Sequence, residues 1–290
     1  MKKTATPKDL LRKYGVRPRK GLGQSFLLDR HAIDKIVRIS GITAADTVVE
    51  IGAGLGVMTA LIAARAGRVI ALEIDGRMVS ILKEELRGFE NVTIVETDVL
   101  RYDFSTARSG KFKIIGNIPY NISSPLLFHL FAHRSGIDSM VLMLQKEVVE
   151  RMTASPGTKS YGTLSVILAM YFAVSREFVV PASCFYPVPG VDSAVVRMTV
   201  RDEPAFPLKS GPFFQRVVRA AFAKRRKTLI NNLRASFPVH PSAEGGVESV
   251  LDRLGIDGRR RGETLNLEEF ARLSNGLFSF NKRLDREGLF

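Results

Sequence analysis

Between residues 47 and 152 the chain alternates short apolar, β-branched runs with amphipathic stretches, and this rhythm restricts the fold more than any other feature. "TVVEIGAGLG" reads as a strand and a glycine turn, with a helix following over "VMTALIAARA". "RVIALEID", "VTIVETD", "FKIIGNIPY" and "SMVLMLQ" supply four more strands, and "RMVSILKEEL", "SPLLFHLFAH" and "KEVVERM" supply helices. Strands joined through helices cannot pair as tight hairpins, so the pattern predicts crossover units on a mainly parallel, doubly wound sheet. A further helix is expected from Asp29 to Ser40, with Asp29 as its cap. After an apolar helix near 161–175, "REFVVP" and "SAVVRMTV" have no helix between them and predict an antiparallel pair closing the sheet edge. From Pro204 onward the signal is helical: Phe214, Val217, Val218, Ala221 and Phe222 form one stripe, Leu229, Ile230 and Leu233 another, and Asn266 and Glu269 have capping-box spacing. The expected organisation is an α/β domain over 1–201 and a small all-α domain over 202–290.

Charge narrows the class of partner. The 290 residues hold 43 Lys and Arg against 29 Asp and Glu, a net charge of +14, which points to a polyanion. The excess is concentrated in two blocks. Residues 1–20 hold Lys2, Lys3, Lys8, Arg12, Lys13, Arg17, Arg19 and Lys20 against Asp9 alone, and residues 204–234 hold Lys209, Arg216, Arg219, Lys224, Arg225, Arg226, Lys227 and Arg234 with no acid. A basic run alone is also what a solvated face looks like. Cys184 is the one cysteine, which excludes an intrachain disulfide, a CxxC pair and a thiolate zinc cluster, and fits a reducing cytoplasm. No His is close to it in sequence to make it a nucleophile. The most apolar stretch, residues 163–174, is too short to span a bilayer, so no membrane association is expected. The basic N-terminus lacks the apolar segment of a secretory signal and is expected to be a partly disordered arm.

The strand ends carry the chemistry. Gly52, Gly54 and Gly56 follow one strand and open a helix, where backbone must approach a nucleotide-like ligand closely. The next strand ends in Glu73, placed to accept from a ribose diol. Both an NAD enzyme and an S-adenosyl-L-methionine enzyme use such a turn; the G-x-G-x-G spacing favours the second, which has no pyrophosphate to cradle. Asp98 ends the third strand at the same edge, where a carboxylate can accept an adenine amino group. At the end of the fourth strand, Asn117 offers a side-chain carbonyl, Pro119 stiffens the turn and removes one N–H, and Tyr120 offers a flat face. Two acceptors and an aromatic ring suit an exocyclic amine on a base aimed at a methyl group. No metal or covalent nucleophile is required for that transfer.

"GQSFL", "EIGAGLG", "ALEID", "GNIPYNISSP", "LQKEV", "YGTLSV", "FYPVPGVDSAV" and "FAKRRKTLINNL" occur in the order seen in the KsgA-type ribosomal RNA adenine dimethyltransferases, and the chain resembles that family over about residues 20–275. The resemblance implies a Rossmann-like methyltransferase sheet and transfer of methyl groups from S-adenosyl-L-methionine to N6 of two adjacent adenines near the 3′ end of small-subunit ribosomal RNA, with a role in maturation of the 30S subunit. By motif matching, Ser25, Leu27, Gly52, Gly54, Glu73, Asp98 and Asn117 would line the cofactor. Asn117, Pro119 and Tyr120 would hold the target adenine, and Phe185 would stack on its other face. Lys224, Arg225, Arg226 and Lys227 would contact RNA. The family pattern has Asn where Ser25 stands. The rivals are an Erm-type enzyme acting on large-subunit RNA, against which "FAKRRKTLINNL" and the C-terminal helices speak, and a non-catalytic RNA-binding assembly factor, which would not need Glu73, Asp98 and the Asn-Ile-Pro-Tyr segment. A monomer is expected.

Overall fold

The computed structural model describes residues 6–107, 110–237 and 246–286, without the side chains of 281–286; Lys2, Lys3 and His240 lie outside the described residues. In chain order the elements are α1 (Pro7–Lys13), β1 (Phe26–Leu27), α2 (Arg30–Ile39), β2 (Thr47–Ile51), α3 (Val57–Ala63), β3 (Arg68–Glu73), α4 (Gly76–Glu85), β4 (Val92–Glu96), β5 (Phe112–Asn117), α5 (Ser123–Ala132), β6 (Ile137–Gln145), α6 (Lys146–Met152), α7 (Thr163–Tyr171), β7 (Phe172–Val180), β8 (Phe185–Tyr186), β9 (Ser193–Val200), α8 (Gly211–Ala221), α9 (Leu229–Ser236), α10 (Gly246–Leu254) and α11 (Leu267–Arg286). All five strands expected from the alternating region form.

Seven strands make one sheet in the order β4-β3-β2-β5-β6-β9-β7. The ladders β3·β4, β2·β3, β2·β5 and β5·β6 are parallel, and β9 runs antiparallel to β6 with Gln145 opposite Ser193. The central strands are covered on both faces, so they read as continuous apolar runs: Val48, Val49, Ile114 and Ile115 have no exposure. The chain winds outward from β2 to β4 and then returns to the other side of β2 for β5. A parallel sheet leaves a crevice at the carboxyl ends of its strands where the winding reverses, which here is between β2 and β5.

Three local outcomes differ from expectation. The helix near 161–175 stops at Tyr171, and Phe172 opens β7; "AMYFAV" is apolar throughout, and such a run fits a buried helix or a buried strand equally. Residues 26–27 and 185–186 form a separate two-stranded antiparallel pair, too short to show a period. The described part of the basic arm, from Thr6, is packed against the sheet unit. Thr6 and Asp9 form a capping box on α1, Leu10 is buried, Lys13 reaches Glu85 at 2.7 Å and Glu84 at 3.2 Å, and the Tyr14 hydroxyl donates to Glu85 at 2.6 Å. A buried Leu and a salt-bridged cation supply the attachment that net charge conceals.

The chain divides into two compact units, residues 1–149 with 175–200, and residues 150–174 with 201–290. Residue 201 is where the chain leaves the sheet unit for the last time, but residues 150–174, including α7, belong to the helical unit. Within that unit Phe214, Val217, Val218, Leu229 and Leu233 are buried as their spacing implies, and Asn266 and Glu269 cap α11 by exchanging two 2.8 Å hydrogen bonds. Among the described residues no helix is long and apolar enough to cross a membrane.

Candidate active site

A cavity opens at the carboxyl edge between β2 and β5. Its floor is the turn after β2. Gly52, Gly54 and Gly56 have φ of 73°, 54° and 77°, left-handed values that cost an L-residue strain. A Cβ on Gly52 would stand 3.4 Å from the Asn117 carbonyl oxygen, close to ordinary contact, so the left-handed φ is what calls for glycine here. Gly52 and Gly54 line the cavity together with Glu73 and Ile74 from the end of β3, Asp98 after β4, and Asn117, Pro119 and Tyr120 after β5. Residues 21–26, the continuation of the N-terminal arm, form a further wall that includes Ser25.

Backbone amides hold the acid of this cavity. Glu73 Oε2 accepts from Gly54 N–H at 2.8 Å, and Oε1 accepts from Ile74 and Asp75 N–H at 2.9 Å each. Burial pushes its carboxyl up, and these three N–H groups pull it back toward ionisation. Of about four acceptor positions, three are filled. Asp98 caps the turn after β4, with Oδ1 accepting from Leu100 N–H at 2.9 Å.

Asn117 Nδ2 donates to the Ser25 carbonyl at 3.0 Å, which fixes the amide and presents Oδ1 as an acceptor. The Tyr120 hydroxyl and the buried Ser193 hydroxyl lie 2.8 Å apart, pinning the phenol ring, and burial raises the Tyr120 pKa so that the ring stays neutral. The Pro119 carbonyl accepts from Ile122 N–H at 3.2 Å and from Ser123 Oγ at 3.4 Å. The turn therefore uses that carbonyl internally, and Ile118, between Asn117 and Pro119, also lines the cavity. Ser25 Oγ donates to the Pro187 carbonyl at 2.9 Å.

Two of the expected site residues are elsewhere. Leu27 and Phe185 face each other across the β1·β8 pair, are 8% and 2% exposed, and belong to the apolar core. Phe185 therefore has no free face to offer a base, and Leu27 lines only a smaller adjoining cavity. Their strand neighbours take the open positions, because side chains alternate along a strand: Phe26 lines the main cavity, and Tyr186 is 47% exposed. Ile74 was not singled out by sequence, although an apolar residue between Glu73 and Asp75 is the available signal; it is 49% exposed and lines the cavity. Glu50, one strand position before Ile51, is fully buried in the adjoining cavity, has no hydrogen-bond partner among the described residues, and is pushed up to about 8 by desolvation.

Asp75 fastens the arm to the end of β3. Arg77 grips it with Nε at 3.1 Å and Nη2 at 2.6 Å, Gln24 Nε2 donates at 3.0 Å, and Arg19 lies 3.6 Å away. The Arg77 guanidinium foremost holds this carboxyl at about 2.

In the helical unit, Lys224, Arg225, Arg226 and Lys227 are exposed in the turn between α8 and α9. Arg225 pairs with Glu263 at 3.1 Å and also donates to the Lys159 carbonyl, whereas Lys224, Arg226 and Lys227 form no ion pair among the described residues. Asn232 is buried beneath the turn and donates to the carbonyls of Ala221 at 2.9 Å and Lys224 at 3.1 Å.

A G-x-G-x-G cradle, a held carboxylate, apolar walls at Phe26 and Ile74, and an oriented amide acceptor fit S-adenosyl-L-methionine, with an amine meeting its methyl group. Fold and cavity together define the class of S-adenosylmethionine-dependent methyltransferases. The model of the ribosomal RNA adenine dimethylase family matches residues 15–273, and the chain belongs to that family. It is similar to the ribosomal RNA small subunit methyltransferase A of Syntrophus aciditrophicus, with 47% identity covering 93% of this chain and 98% of the relative, and to that of Bacillus mycoides, with 42% identity covering 96% and 98%. Among solved structures it resembles a dimethyladenosine transferase from Plasmodium falciparum (TM-score 0.76, 30% identity, 88% and 97% covered) and the 23S rRNA methyltransferase ErmE (TM-score 0.71, 28% identity, 87% and 99% covered).

Proposed function

We propose that this chain places two methyl groups on N6 of each of two adjacent adenines near the 3′ end of small-subunit ribosomal RNA, working as a cytoplasmic monomer on the assembling 30S subunit. The observation that carries the site assignment is the Asn117 amide, turned by Ser25 so that its carbonyl is free for an amine. The preference for the small subunit is supported by the names of the full-length relatives at 42–47% identity, against 28% for the large-subunit enzyme.

Glu73 takes a ribose hydroxyl on its remaining acceptor position, Asp98 the adenine amino group of the cofactor, and Gly52, Gly54 and Ser25 the methionine end. When bound, S-adenosylmethionine supplies an electrophilic methyl group. The target adenine enters with its amino hydrogens on Asn117 Oδ1 and the Ile118 carbonyl, and its ring against Tyr120. Drawing on those hydrogens frees the nitrogen lone pair, which aromatic delocalisation otherwise holds. Positioning supplies on the order of 7–11 kcal/mol in well-oriented systems. The methylated nitrogen then loses its extra proton to solvent. Lys224, Arg226 and Lys227 take RNA phosphates, and Arg225 shapes their turn through Glu263.

Incubation with unmethylated small subunits followed by digestion to nucleosides tests this. Two dimethyladenosines per subunit are expected from the wild type and almost none from Asn117→Ala, while the variant keeps its cofactor affinity within a few-fold. Normal turnover at saturation in the variant would remove Asn117 from the role.

A further inference from the structure

Half of the large apolar side chains exposed among the described residues sit in one short segment of the sheet unit. Tyr186, Val188 and Val191 are 47%, 66% and 49% exposed. They fall within six residues of one loop, and residues 181–191 carry no charge at all in a chain of net charge +14.

That loop is tied to both walls of the cavity. At one end Ser25 Oγ donates to the Pro187 carbonyl, and Phe26 stands opposite Tyr186 in the β1·β8 pair. At the other end Ser193 meets the Tyr120 hydroxyl. Ser25, Phe26 and Tyr120 all line the cavity, so the loop that carries the exposed apolar side chains borders it as a lip, although those side chains do not themselves line it.

An uncharged lip is a poor match for phosphates and a good one for the flat face of a base. A strand that delivers one adenine into the cavity must unstack it from its neighbour, which costs a few kcal/mol unless the neighbour finds a new surface. We propose that Tyr186, backed by Val188, is the platform on which the adenine next to the target stacks while its partner occupies the cavity. This rests on the adjacent-adenine substrate proposed above. It gives the lip a specificity role: with either adenine in the cavity, the other is the base available to the platform.

The test uses the full chain with reconstituted small subunits in which one adenine of the pair is replaced by an abasic nucleotide, scoring methylation of the remaining adenine. On intact RNA, Tyr186→Ala is expected to raise KM for the subunit about 5- to 150-fold, the range for losing one base–aromatic stack. The cofactor Kd should not change. Tyr186→Phe should restore KM, because stacking does not need the hydroxyl, and Val188→Ser should give a smaller loss. On abasic RNA, Tyr186→Ala should add little further penalty for at least one position of the pair. An unchanged KM, penalties that multiply at both positions, or failure of Phe to rescue would each overturn the proposal. A wild type that transfers no methyl to intact subunits would instead overturn the substrate assignment, and this proposal with it.

Discussion

Glu50 and Asn117 both stand beside Gly52, yet their surroundings give them opposite characters. Asn117 has its donor satisfied and its acceptor free, whereas Glu50 is buried without any hydrogen-bond partner among the described residues and is neutral below about pH 8. For an acid whose folded pKa is raised from 4.5, both states are protonated at low pH, and from about pH 4.5 upward the unfolded chain gains stability by ionising while the folded chain cannot. Glu50 therefore lowers stability progressively between about pH 4.5 and 8, by at most roughly 1.4 kcal/mol per pH unit. Glu50→Gln, which does not titrate, is expected to gain on the wild type across that window in thermal or urea unfolding; a difference independent of pH would show that Glu50 is ionised in the fold. The residues at strand ends were legible in the sequence, because Gly52, Glu73 and Asn117 each end an apolar run and Asp98 closes the polar Glu96–Thr97–Asp98 step after one. The faces of Leu27 and Phe185 were not, since a two-residue strand has no alternation to read, and a shift of one position exchanges inside for outside. Nor does sequence distinguish a carbonyl that a turn consumes, as at Pro119, from one left open.

Among the elements, the turn between α8 and α9 shows how packing presents charge. Asn232 holds two carbonyls from below; Lys224 O keeps a second donor in the Lys227 N–H at 2.9 Å, so Asn232→Ala removes a donor from the buried Ala221 carbonyl and is expected to cost about 1–3 kcal/mol, seen as a lower denaturation midpoint. An unchanged midpoint would mean that the turn is held by other interactions. Neutralising Arg225, Arg226 and Lys227 together is expected to weaken RNA binding and flatten its salt dependence by about 0.7–0.9 in log–log slope for each RNA phosphate that the protein no longer neutralises. Because Arg225 is already paired with Glu263, most of that change should come from Arg226 and Lys227. A slope equal to the wild type would reduce the run to a solvated face. The basic run itself was plain in the sequence. Its partition into a paired and an unpaired part was not, because Glu263 lies 38 residues away.

For the whole molecule, the alternating strand and helix rhythm was enough to predict the parallel sheet and therefore the edge at which the cavity lies. The membership of residues 150–174 in the helical unit was hidden, because the Pro-bearing stretch after Arg201 marks only the last crossing. The same basic charge would serve a small-subunit enzyme, a large-subunit enzyme or an assembly factor, so substrate choice has to be measured. Radiolabelled S-adenosylmethionine supplied to this protein with unmethylated small subunits and large-subunit RNA in equal amounts makes that measurement directly. Label is expected in the small subunit alone, as dimethyladenosine; label confined to large-subunit RNA, or tight subunit binding with no label at all, would contradict the proposed function.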